Sequence, residues 1–205
     1  MAQLSISCAV AFILLMKNVP SGAATASRQE DIVQFLNTSE IIWTYNSTGK
    51  QLRLCKLDEK YNITNDNITF YRDHLSRRKI WRRQILVGKF GFSPFESATA
   101  KNSYDYMDTS TTGGRYKTTE YLLYADDKNE CAVFSILDGS MNIEFVYELR
   151  VKNSSLSNVS SSNCWNVYKE VTQGKTSVGF YYRACQKWMK HRQEWFDFDK
   201  FYPNK

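Results

Sequence analysis

Histidine is almost missing from this chain: His74 and His191 are the only two. That leaves little room for a His-based catalytic centre or a zinc site. His74 falls in a charged turn and His191 in the C-terminal tail, and both read as solvated surface residues. Proline, with 3 residues, and glycine, with 9, are too scarce for collagen-like or Pro-rich architectures. No GxSxG, HExxH, P-loop or GxGxxG motif occurs, so no catalytic constellation is visible and an enzyme is the least supported class. No CxxC pair occurs either, which sets aside redox catalysis. Asp126, Asp127 and Glu130 lack the spacing of an EF-hand and read as a hairpin turn. No cofactor, metal or nucleic acid is expected. Beyond residue 16 no apolar run approaches the roughly 20 residues a membrane span needs, so no membrane partner is expected.

What remains is an exported, globular, aromatic-rich chain. Charged residues make up 23% and hydrophobic ones 42%, which excludes wholesale disorder. Residues 8–16 read CAVAFILLM, and Ala24-Thr25-Ala26 supplies small residues for cleavage before Ser27. Residues 1–26 are therefore expected to be a signal peptide, and the product to be secreted. Removing the leader leaves Cys55, Cys131, Cys164 and Cys185, an even set that reads as two disulfides with three pairings open. Six glycosylation sequons agree with export: Asn37, Asn46, Asn62, Asn67, Asn153 and Asn158.

Along the chain, residues 30–36 read as a short helix, with Glu30 and Asp31 in its first turn where the helix dipole favours acids. Strand-like alternation then dominates: 41–45, 52–55, 68–70, 80–87, 116–124, 131–137 and 143–151. Residues 92–114 read as an irregular, mobile loop, and 153–163 as a Ser/Asn turn. Periodicity leaves 165–170 open between strand and helix. Many short strands with short turns imply an antiparallel sandwich or barrel. The last 20 residues, 186–205, mix aromatic rings with Lys and Arg, as a helix laid on the barrel or an exposed tail.

Glu120-Tyr121-Leu122-Leu123-Tyr124-Ala125-Asp126-Asp127 leads into Glu130-Cys131-Ala132-Val133-Phe134, followed by Tyr147-Glu148-Leu149-Arg150. With Ile42-Trp43-Thr44-Tyr45 and Cys55 near the start, this order resembles the tick salivary lipocalins of the histamine-binding protein family. The resemblance implies a mostly β fold: an eight-stranded antiparallel lipocalin barrel over residues 27–185, with a short N-terminal helix and a C-terminal helix or tail. It also implies the pairings Cys55–Cys185 and Cys131–Cys164. Family members scavenge host mediators at the bite site, so the implied partner is a small molecule. A biogenic amine such as histamine or serotonin comes first; a leukotriene, thromboxane or sterol is the alternative. A host protein or an acidic glycosaminoglycan, met by the basic residues at 77–79 and 82–83, is a third reading; a solvated strand face explains that charge run more simply.

The ligand-binding residues the resemblance implies are Glu120, Glu148 and Tyr45, joined by Trp43 for cation–π attraction and by Arg150. The acids and tryptophan that amine binders carry before the first disulfide cysteine are absent from 46–54, as is an acid from 80–90. Arg150 stands where an aromatic is expected. Inside a barrel it suits a fatty-acid carboxylate or neutralises Glu148. Alternation places Phe145, Tyr147, Leu149 and Val151 on one face, which by the usual rule turns Glu148 outward; the resemblance implies the opposite.

Overall fold

The computed structural model describes residues 31–50, 53–76, 78–94, 103–114, 117–139 and 144–192. The expected leader and most of the C-terminal tail lie outside the described residues. The described residues hold nine strands: β1 (Ile42–Ser47), β2 (Leu54–Ile63), β3 (Asn67–Leu75), β4 (Trp81–Gly91), β5 (Tyr106–Thr111), β6 (Lys117–Ala125), β7 (Cys131–Asp138), β8 (Phe145–Lys152) and β9 (Val178–Gly179). Each of β2 to β8 pairs antiparallel with its sequence neighbour, and β1 pairs with both β8 and β2, which closes an eight-stranded barrel. The two-residue β9 adds to the outer flank of β1, Asn46 opposite Gly179.

The period of 2 sorts each strand into an inner and an outer face. Ile42, Ile68, Phe70, Leu86, Phe90, Met107, Leu122, Phe134 and Ile136 point inward as one apolar cluster. Helix α1 (Ile32–Leu36) plugs one end: Ile32, Phe35 and Leu36 join that cluster, and Phe35 packs on Phe134 at 5.7 Å between rings. Asp31 is not in the first turn but caps the helix, accepting from the Gln34 amide. The β2–β3 and β6–β7 turns share the α1 end with the C-terminus of β4 and the N-terminus of β5. The strand ends that lead into the β1–β2, β3–β4, β5–β6 and β7–β8 loops lie at the opposite end.

The outer face is covered in two places. Helix α2 (Asn163–Val171) lays Cys164 and Tyr168 against Val133, Leu149 and Val151. Helix α3 (Arg183–Lys190) brings Cys185 to a cluster of Trp43, Cys55, Leu57, Leu75 and Trp81. Disulfides Cys131–Cys164 and Cys55–Cys185 fasten the two helices, in the pairing the resemblance implied.

Two expectations are corrected and one open reading is resolved. The irregular stretch 92–114 contains β5, whose inward Thr109 and outward Asp108 and Ser110 hide a strand behind polar side chains. Residues 153–161 form a 3-10 helix. Residues 165–170 belong to α2, because Ser162 caps it at the Trp165 amide and Cys164 and Tyr168, four apart, bury one helical face.

Candidate functional site

On β8 the helix α2 takes the apolar face, so Glu148 and Arg150 turn into the barrel. On β6 Thr118, Glu120 and Leu122 face inward. Both carboxylates implied by the resemblance thus reach the interior together with Arg150. They meet three charges that sequence reasoning missed: Lys56 and Asp58 on β2 and Arg72 on β3. Their signal was in the register. Lys56 and Asp58 alternate with buried Cys55 and Leu57, and Arg72 continues the inward series Ile68, Phe70.

The six side chains form one buried network. Arg72 holds Asp58 with two bonds of 2.7 Å and Glu120 with bonds of 2.7 and 3.2 Å. Arg150 donates to Glu148 at 3.0 and 2.9 Å and approaches Glu120 at 2.7 Å. Lys56 donates to the other oxygen of Glu148. Thr44 and Thr118 add hydroxyl bonds to Glu148 and Glu120. The Arg150 guanidinium lies 4.3 Å from the centre of the Phe134 ring. Three cations face three anions, so the formal charge of the network is zero.

Burial sets the protonation of the group. Desolvation pushes Glu120 up, but Arg150 and Arg72 outweigh it and hold the carboxyl far below its usual range. Glu148 is likewise held down at about 2, desolvation being overcome by Lys56 and Arg150. Lys56 is lowered to about 8 by desolvation, against the pull of Glu148. Glu120, Arg150 and Arg72 are 0%, 1% and 2% exposed, so water does not reach them. One atom of the network, Arg150 Nη1, has no hydrogen-bond partner and lies 3.7 Å from Asp58.

Trp43 and Tyr45 are not in this interior. Trp43 is sealed on the outer face, where its indole N–H donates to Asn153 at 2.9 Å. A bulge between Thr44 and Asn46 turns Tyr45 and Asn46 outward together, and Tyr45 packs on Trp165 and Tyr181. Neither ring is therefore placed to face an amine held by Glu120. His74 is also corrected: it is half-buried on β3 towards the end opposite α1. Burial first, then Arg53, Lys56, Arg82 and Arg72, lower it to about 4. Asp126 serves the β6–β7 turn, accepting from the Glu130 and Cys131 amides at 2.6 and 2.9 Å.

A model of the family described as tick histamine-binding protein matches residues 37–187. The chain belongs to the tick histamine-binding protein family. Among solved structures it is similar to AM182 in its serotonin complex, 15% identical over 72% of this chain and 85% of that one, with a TM-score of 0.54. It is also similar to the siderocalin Ex-FABP, 8% identical over 66% and 84% with a TM-score of 0.47. Japanin from Rhipicephalus appendiculatus, bound to cholesterol, is 12% identical over 71% and 95%, with a TM-score of 0.46. At such identities the likeness to AM182 is one of fold. No individual curated protein sequence matches the chain. Family and barrel together mark a lipocalin-type binding protein.

Proposed function

We propose that this protein is a secreted scavenger that takes an acidic amphiphile, a lipid mediator with a carboxylate head, in preference to a biogenic amine. The observation that carries this reading is the state of the interior carboxylates. Asp58, Glu120 and Glu148 already hold Arg72, Arg150 and Lys56. An ammonium entering there adds a positive charge to a neutral, dry network and must displace a resident cation. Arg150 Nη1 is a network atom without a hydrogen-bond partner, and a donor calls for an acceptor such as a carboxylate oxygen. Arg53, Lys56, Arg72 and Arg82 gather around His74, and after burial their charge is what lowers it, so positive charge collects toward the end opposite α1, the end left for entry once α1 has plugged the other.

The second reading is an amine. It is supported by the family, by the serotonin complex of AM182, and by the inward setting of Glu120 and Glu148. Native mass spectrometry separates the two, with oleate, oleyl alcohol, histamine and serotonin as probes. The expected result is a one-to-one oleate complex, weaker binding of the alcohol and none of the amines. Tight binding of either amine with no oleate complex overturns the assignment.

A further inference from the structure

The six sequons are not scattered over the barrel. Asn37 caps the C-terminus of α1. Asn62 and Asn67 flank the β2–β3 turn. Asn153 and Asn158 lie in the 3-10 helix between the end of β8 and Cys164, a stretch fixed at both ends near α1, since Asn153 bonds to the Ile41 carbonyl and Cys164 is tied to the first residue of β7. All five are exposed, and all five belong to the end that α1 closes. None of the four loops at the opposite end contains a sequon.

Asn46 differs in position and in environment. It is half-buried at the bulge of β1, opposite Gly179 of β9, and its Nδ2 donates to Ser177 Oγ at 3.3 Å. Nδ2 is the atom that carries the sugar. A glycan there replaces one of the two Nδ2 hydrogens and crowds the segment that β9 occupies. That segment is bonded closely: the Phe180 amide donates to Tyr45 at 2.9 Å, and the Cys55 amide donates to the Phe180 carbonyl at 2.7 Å. It also leads directly to Cys185 and its disulfide with Cys55. Sugar at Asn46 therefore hinders seating of the segment that brings those two cysteines together. Asn153 shows the compatible arrangement: the bonds from Trp43 and Gln186 both end on Oδ1, which leaves the sugar-bearing nitrogen out of the contact.

We propose that the glycans of this protein sit on Asn37, Asn62, Asn67, Asn153 and Asn158, covering the α1 end of the barrel, and that Asn46 carries none. The inference rests on export through a glycosylating pathway. Its consequence is a molecule with a sugared base and a bare rim, so that a guest or partner meets protein only at the rim.

The test is expression of the full precursor in secreting eukaryotic cells, followed by enzymatic deglycosylation in heavy-oxygen water and peptide mass spectrometry. Five labelled aspartates, with Asn46 still an asparagine, are expected. Asn62→Gln and Asn158→Gln should each remove one glycan step on a gel, and Asn46→Gln should remove none. A labelled aspartate at position 46 in most molecules, or a lost step in Asn46→Gln, overturns the assignment. A secreted product with no labelled site overturns it together with the glycosylation reading.

Discussion

At the scale of single residues, an internal ion network makes each member depend on the others. Removing one carboxylate from a buried group leaves a cation without its partner, which costs about 3–5 kcal/mol, far more than the pair contributes when intact. Glu120→Gln is expected to destabilise by that order, because Arg72 and Arg150 both lean on it. Glu144→Gln is the control: its carboxylate pairs with Lys50 at 3.3 Å in the open and its loss should leave denaturant unfolding unchanged. Urea midpoints for the two variants check the contrast. Equal, small shifts would show that water enters the network.

At the scale of elements, the outer helices decide which way β8 faces. Without α2, the face of Tyr147, Leu149 and Val151 would have no cover, and the alternation rule would turn it inward. The Cys131–Cys164 bond ties α2 to the first residue of β7 across 33 positions. In the chain-entropy model such a closure is worth about 4 kcal/mol. Replacing both cysteines by serine is expected to lower stability by this order and to raise amide exchange first in α2 and along the outer face of β8. Exchange spread evenly over the barrel would contradict a local role for the bond.

At the scale of the whole molecule, stability should fall on the acid side in two steps. His74 has a folded value of about 4 against an ordinary value near ~6.5, so the unfolded chain binds its proton first. Stability present above pH ~6.5 is lost as the pH falls toward 4, by on the order of 2 kcal/mol once partial exposure is allowed for. Glu148, held at about 2 against an ordinary ~4.3, adds a second loss below that range. Melting temperatures between pH 4 and 8 should therefore rise with pH, and His74→Gln should flatten the limb between 4 and 6.5. An unchanged limb in that variant would remove His74 as its source.

Much of this molecule was legible in its residues. Period-2 alternation marked seven of the eight barrel strands, and the resemblance supplied barrel, helices and disulfide pairing. β5 escaped because its hydroxyls bond across strands instead of presenting an apolar face: Thr109 meets Thr118 inside. The site was half legible. Glu120, Glu148 and Arg150 were named, but Lys56, Asp58 and Arg72 were not, since a charge looks solvated until its partners are placed beside it. Those partners lie 48 positions away for Arg72 and Glu120, and 92 for Lys56 and Glu148. Sequence alone determined the alternating strands, the cysteine set and the family. Only barrel closure decided which faces lie inside, because alternation defines two faces and is silent on which one a helix will cover. Closure also brought Arg72, Arg150 and Lys56 onto Glu120 and Glu148, partners that lie far away along the chain.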